Sequence, residues 1–145
     1  MFSIVSERIL NHPIAQVFNV FVDPEKLRQW WGPHGFTNRF ETFDLRPGGH
    51  WIFDMVDERG KVYPNHGVFK EILPLEKIAW TRLSQPIFDM EVRFKALDHG
   101  RTAFTFVMSI PDERLYETFL TFAPEKNEEN FDRLEQLLNQ VSLPV

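Results

Sequence analysis

The sequence predicts an α+β fold in which a curved antiparallel sheet of about six to seven strands is covered by one long C-terminal helix. Three observations support this prediction: helical periodicity near the N-terminus, two-residue periodicity through the middle, and helical periodicity again at the C-terminal end. Consecutive antiparallel strands need to bury one face, and only the last helix is long enough to cover it. The length of 145 residues fits a single domain, which we take to span 1–145.

The N-terminal part predicts one strand and two short helices. Residues 2–10 alternate in the manner of a strand. Pro13 is expected at the first helical position, where its missing N–H costs nothing. The apolar stripe of that helix consists of Ile14, Val17, Phe18 and Phe21. Asp23 is then a good N-cap for a second helix over 24–31, which Gly32 ends.

The middle of the chain predicts a run of strands joined by short turns. The segment 88–96 is the clearest, because its apolar and charged residues alternate as in a sheet with one solvated face. Six strands are predicted here, over 37–45, 51–56, 66–73, 77–83, 88–96 and 102–110.

The C-terminal part predicts helices again. Residues 112–122 are expected to be helical in whole or in part, and Pro124 should interrupt or restart the helix. A final helix over 124–141 would be about 27 Å long at ~1.5 Å per residue, enough to cross a curved sheet. Its apolar face is formed by Phe131, Leu134, Leu137, Leu138 and Val141.

Composition excludes several classes of protein. The net charge of −5 argues against a nucleic-acid partner, which requires clustered Lys and Arg. No segment approaches the roughly 20 apolar residues of a membrane helix, so membrane insertion is not expected. The absence of cysteine excludes disulfides, thiol catalysis and iron–sulfur clusters, and a cytoplasmic protein is the simplest interpretation. The five histidines lack metal-ligand spacing, so we predict no metal and no cofactor.

Several motifs occur in order along nearly the whole chain. They are the run Trp30-Trp31-Gly32-Pro33, the turn Arg46-Pro47-Gly48-Gly49, the segment Gly67-Val68-Phe69-Lys70-Glu71-Ile72 and the closing Leu134-Glu135-Gln136-Leu137-Leu138. Together they resemble the family of homologues of the activator of the ninety-kilodalton heat-shock chaperone's ATPase. This family is a branch of the START-like, polyketide-cyclase-like (SRPBCC) superfamily. The resemblance implies a helix-grip fold with a hydrophobic cavity between the sheet and the last helix.

The chain departs from this family at one place. Family members usually carry a Gly-Trp pair early in the last helix, where this chain has Lys126 and Asn127. An indole is far larger than an amide side chain, so we expect the cavity to be larger or more polar here. A buried Asn127 then needs a hydrogen-bond partner in a strand, a water or a ligand.

Apolar residues at the inward strand and helix positions are the candidate ligand contacts. This set consists of Trp51, Phe53, Met55, Met90, Phe94, Phe104, Phe106 and Phe131. The alternative is that these side chains only pack on one another as core. Of the adjacent Trp30 and Trp31, one is expected to anchor the short helix and the other to lie at the cavity mouth.

Four polar residues are candidates for orienting a ligand, namely His34, His66, Arg82 and Asn127. Either histidine would be able to act as a base near neutral pH, although an ordinary loop histidine is the simpler interpretation. The sequence contains no nucleophile elbow, phosphate loop or dinucleotide motif, and we assign no catalytic residue.

Three functions remain open at this point. The first is binding of a small lipid- or polyketide-like apolar ligand, which the aromatic excess and the missing catalytic motif favour. The second is a cyclase- or hydrolase-type enzyme that uses the same cavity. The third, implied by the family name, is a co-chaperone in the stress response, and we rank it last because the chain has no added chaperone-binding region. We expect a monomer or a weak homodimer.

Overall fold

A seven-stranded antiparallel sheet is the centre of the computed structural model, which describes residues 1–141. The last four residues of the predicted domain, 142–145, lie outside the described residues. The strands are β1 (Phe2–Leu10), β2 (Thr37–Phe43), β3 (His50–Val56), β4 (Val62–Leu73), β5 (Lys77–Arg82), β6 (Phe88–Ala96) and β7 (Thr102–Ile110). The α-helices are α1 (Ile14–Val22), α2 (Pro24–Trp30), α3 (Glu113–Leu120) and α4 (Ala123–Val141).

The sheet has the strand order β1-β7-β6-β5-β4-β3-β2, with every neighbouring pair antiparallel. Register shifts between Phe40 and Thr42 and between Phe69 and Glu71 interrupt the ladder of β2 and of β4. Such bulges bend a strand and increase its twist, which suits an open, curved sheet. The predicted α+β helix-grip architecture is therefore confirmed.

Helix α4 packs its apolar stripe on the β1–β7 side of the sheet. The Phe131 ring lies 4.8 Å from the Phe106 ring and 5.6 Å from the Phe104 ring, measured between centroids. Leu134 and Leu138 are fully buried on the same helix face, whereas Val141 of the predicted stripe is exposed. Pro124 stands in the first turn of α4, where a proline removes no intrahelical hydrogen bond.

Pro13 differs in position from the sequence prediction, and Pro64 lies in a strand that begins earlier than predicted. Pro13 precedes α1 as its N-cap and is not its first helical residue, because its ψ of 150° is extended. Its carbonyl accepts hydrogen bonds from Gln16 and Val17, which begin the helix. Pro64 lies inside β4, which starts four residues earlier than predicted. Since β5 ends opposite Gly67, this first part of β4 has only β3 as a neighbour, and such an edge tolerates a residue without an N–H.

The remaining differences are at element ends. Strands β2 and β5 end two and one residues before the predicted positions, and α2 ends at Trp30, with Trp31 as its C-cap. Asp23 caps α2 as predicted, because its carboxylate accepts from the Glu25 N–H at 3.0 Å. Within residues 1–141, none of the helices combines the length and the hydropathy that a membrane span requires.

Candidate functional site

The concave face of the sheet bounds a mostly apolar cavity of about 510 Å³. Its walls are formed by β3 to β7, by the segment that follows α2, and by α3 and the start of α4. The volume is within the range of about 300–1,000 Å³ that is typical of small-molecule pockets. A cavity between the sheet and the last helix was predicted, and the geometry agrees with it.

Six of the predicted apolar residues line this cavity: Trp31, Trp51, Phe53, Met55, Met90 and Phe106. Because side chains alternate along a strand, residues two apart on β3 project to the same side of the sheet. The three positions predicted on β3 therefore lie together on the cavity wall. Phe106 on β7 forms the wall opposite them, beneath α4.

Four predicted apolar residues lie outside the cavity, in the core: Trp30, Phe94, Phe104 and Phe131. Phe94 faces the same side of the sheet as Met90, but its ring is covered by Phe18 of α1 at 5.1 Å between centroids. Phe104 is covered in the same way by Phe131 of α4. The helices thus close over this end of the sheet, and the cavity occupies the other end.

The two adjacent tryptophans lie in different surroundings, one in the core and one at the cavity. Trp30 is the anchor, because it is fully buried and its indole N–H donates to the Val20 carbonyl at 2.9 Å. Trp31 is partly buried and lines the cavity, with ring centroids 5.4 Å from Trp51 and 5.6 Å from Phe106. The turn between α2 and the next segment therefore places one indole in the core and the other at the cavity wall.

Helix α4 holds the segment after α2 in place through backbone carbonyls. The Arg133 guanidinium donates to the carbonyls of Gln29, Trp31, Gly32 and Pro33 at 2.9 to 3.1 Å. Burial lowers the pKa of Arg133. The four carbonyls, in the last turn of α2 and just after it, accept hydrogen bonds from the buried guanidinium. Asn130 adds a hydrogen bond of 2.7 Å to the Trp30 carbonyl. Hydrogen bonds from α4 therefore fix the position of the segment that contains Trp31.

His34 lies outside the cavity, on the exposed loop beside α4. Its backbone N–H donates to the Glu129 carboxylate at 3.1 Å, and its ring approaches Glu129 and Asp132 at 3.8 and 3.5 Å. His34 is therefore placed to hold the loop against α4, not to contact a ligand inside the cavity.

His66 borders the cavity, but its ring is engaged with another histidine. The Nε2 atom of His66 lies 2.7 Å from Nδ1 of His50 on the neighbouring strand. Among residues 1–141, no cluster of three or more His, Cys, Asp or Glu side chains has the arrangement of a metal site.

The other polar residues of the lining mostly have protein partners. Arg82 donates to the Asn65 side-chain oxygen and, at 3.1 and 3.3 Å, to the carbonyls of Ser84 and Gln85. Burial lowers the pKa of Arg82. Asn127 donates to the Ser6 hydroxyl of β1 at 3.1 Å, so the hydrogen-bond partner expected for a buried Asn127 is a strand group.

The lining also includes six large apolar side chains that were not among the predicted ligand contacts, namely Trp80, Met108, Tyr63, Phe88, Phe119 and Phe122. The positions of two of them could have been predicted from the sequence, because residues two apart on a strand face the same side of the sheet. Trp80 lies two residues before Arg82 on β5, and Met108 lies two residues after Phe106 on β7. The positions of Phe119 and Phe122 could not have been predicted in this way, because they depend on how α3 and α4 pack against each other.

Comparisons with known proteins support this architecture. A family model described as Activator of Hsp90 ATPase homolog 1-like protein matches residues 11–139. The comparison with curated proteins gives no significant match. A protein from Nitrosomonas europaea superposes with a TM-score of 0.86 at 22% identity, with 95% of this chain and 94% of that chain covered. An AHSA1-like protein from Aeromonas hydrophila gives 0.74 at 14% identity, with 99% and 96% covered. At these identities, the structural likeness shows the fold alone.

Proposed function

We propose, starting from the fact that this chain belongs to the Activator of Hsp90 ATPase homolog 1-like family, that it binds a small, largely apolar molecule in its cavity. The observation that supports the proposal is the cavity of about 510 Å³ with its aromatic and methionine walls. An apolar ligand there would gain roughly 25 cal/mol per Å² of surface removed from water. The proposed contacts are Trp31, Trp51, Phe53, Met55, Met90 and Phe106.

An enzyme of the cyclase or hydrolase kind has less support. A general acid–base mechanism needs a titratable group within hydrogen-bond reach of the substrate. No carboxylate is found among the cavity-lining residues of the described chain, and the His66 ring is bonded to His50. The co-chaperone function rests on the family name alone, since no surface of the described residues identifies a chaperone partner.

A neutral fluorescent probe tests the proposal. We expect N-phenyl-1-naphthylamine to bind with a blue-shifted, enhanced emission and to quench tryptophan emission, because Trp31, Trp51 and Trp80 line the cavity. Met90→Trp fills part of the cavity and should weaken probe binding at least about fivefold, since steric exclusion removes apolar contact. Val5→Trp is the matched control, because Val5 is 62% exposed on β1.

Two results would count against ligand binding. One is a probe that shows no saturable enhancement with the wild-type protein. The other is a Met90→Trp variant that is folded by circular dichroism and binds the probe as tightly as the wild type does.

A further inference from the structure

The charge of the cavity is opposite to that of the whole molecule. The chain carries a net charge of −5, yet the two charged side chains that line the cavity, Arg82 and Lys126, are both cationic. Lys126 is exposed and lies 3.4 Å from the Glu129 carboxylate, so its charge is partly compensated. Arg82 is half-buried and has no such compensation.

All partners of Arg82 are neutral oxygen atoms. Its guanidinium donates to the side-chain amide oxygen of Asn65 and to the carbonyls of Ser84 and Gln85. Over the described range 1–141, no carboxylate forms an ion pair with it. A guanidinium has five N–H donors, so these three bonds leave one donor on each terminal nitrogen.

Two other arginines show how this chain usually compensates a partly buried cation. Arg8 on β1 contacts three carboxylates at 2.7 to 2.9 Å. Arg133 donates to four carbonyls, one in the last turn of α2 and three in the segment that follows it. Arg82 has neither arrangement, and it borders an apolar space in which a charge is poorly solvated. An anion in the cavity would supply the missing partner.

We propose that the ligand is an amphipathic carboxylate, with its apolar body against the aromatic wall and its carboxylate on Arg82. This inference rests on the function proposed above and adds the chemical class of the ligand. Arginine is suited to this role because its planar donors match a carboxylate and its charge persists at every physiological pH. The Asn65 side chain, bonded to Arg82, is the positioning residue that holds the guanidinium at the cavity wall.

A pair of ligands with the same alkyl chain tests the proposal at pH 7. Decanoate and 1-decanol are titrated separately, below the concentration at which either aggregates, as competitors of bound N-phenyl-1-naphthylamine. We expect decanoate to bind at least about tenfold more tightly than 1-decanol, because a charge-assisted hydrogen bond is made only by the acid. Arg82→Met should abolish this preference for decanoate. The affinities of the variant for the neutral probe and for 1-decanol should stay within about twofold of the wild-type values.

Arg59→Met is the matched control, because it removes the same charge at the exposed tip between β3 and β4. It should preserve the preference for the acid. Arg82→Lys keeps the charge without the planar fork and should retain part of the preference, which tests the role of Arg82 even if the methionine variant does not fold.

The outcomes separate this inference from the proposed function. If the neutral probe and 1-decanol bind but decanoate binds no better, the carboxylate proposal is overturned and ligand binding stands. If decanoate is preferred and Arg82→Met keeps that preference, or weakens both competitors equally, the assignment to Arg82 is overturned. If none of the three molecules binds, the proposed function itself fails.

Discussion

At the scale of single residues, Asn127 links α4 to the first strand and also lines the cavity. Its amide donates to the Ser6 hydroxyl at 3.1 Å and lies 3.6 Å from the Met108 sulfur. Its amide side chain is much smaller than the indole that the resemblance to the family led us to expect here, so a tryptophan at this position should fill part of the cavity. The hydrogen bond to Ser6 compensates for placing a polar group in a mostly apolar wall.

Replacing this residue tests how much of the cavity depends on it. We expect Asn127→Trp to weaken binding of N-phenyl-1-naphthylamine at least about fivefold, because the indole occupies cavity volume. The Ser6 hydroxyl loses its donor, so adding Ser6→Ala should raise the free energy of unfolding above that of the single variant. Fluorescence titration and urea unfolding give the two quantities.

Asn127→Ala is the control for this experiment, because it removes the amide without filling space. It should bind the probe within about twofold of the wild type. An Asn127→Trp variant with unchanged probe affinity would show that the indole points away from the cavity.

At the scale of elements, Arg8 joins β1 to the acidic face of α4. It contacts the carboxylates of Glu128, Asp132 and Glu135, and its guanidinium lies 5.5 Å from the centre of the Phe131 ring. Burial by itself lowers the pKa of Arg8, but the hydrogen bonds with these carboxylates outweigh it, so the net pKa is raised. The edge strand is therefore held to the helix by charge as well as by apolar packing.

Arg8→Met should lower the free energy of unfolding by about 1–2 kcal/mol at low ionic strength, because three carboxylates then lie together without a cation. The difference from the wild type should shrink in 1 M NaCl, where the repulsion is screened over roughly 3 Å. Urea unfolding of both proteins, at low ionic strength and in 1 M NaCl, measures this difference in the free energy of unfolding.

Arg39→Met is the comparison variant, since Arg39 is exposed and its guanidinium lies 3.7 Å from the Asp54 carboxylate. It should change the free energy of unfolding by less than about 0.5 kcal/mol. Equal effects of the two substitutions would contradict a special role for Arg8.

At the scale of the whole molecule, stability comes from one continuous apolar core between the sheet and the helices. The largest fully buried side chains include Trp30, Trp51, Phe21, Phe69 and Phe104, contributed by both helices and strands. In residues 1–141, no cluster of metal-ligating side chains adds to this core.

The melting temperature should therefore not depend on divalent metal. Adding EDTA in excess should shift it by less than about 1 °C, because a ligand that does not bind the folded state cannot stabilise it by mass action. Differential scanning calorimetry with and without the chelator measures the shift. A fall of several degrees that zinc reverses would contradict the prediction.

Periodicity in the sequence was sufficient for the order and type of the elements. Strands such as β6 and β7 have the bounds that alternation predicted, because a two-residue period repeated over nine residues specifies one face of a sheet. The same argument assigned Trp51, Phe53 and Met55 to one side. It did not show that β4 begins at Val62, since the tolerance for Pro64 depends on where β5 ends.

The sequence by itself determined which side chains share a face, because the period of a strand or helix is a local property of the backbone. Only the tertiary structure decided which side chains of that face are covered by a helix and which border the cavity. Phe94 and Phe106 project to the same side of the sheet, but α1 covers the first, whereas the second borders the cavity. Trp30 and Trp31 are neighbours in sequence, but Trp30 is buried in the core and Trp31 borders the cavity. The physical reason is that coverage depends on contacts between residues far apart in the chain, such as the 100-residue separation of Trp30 and Asn130.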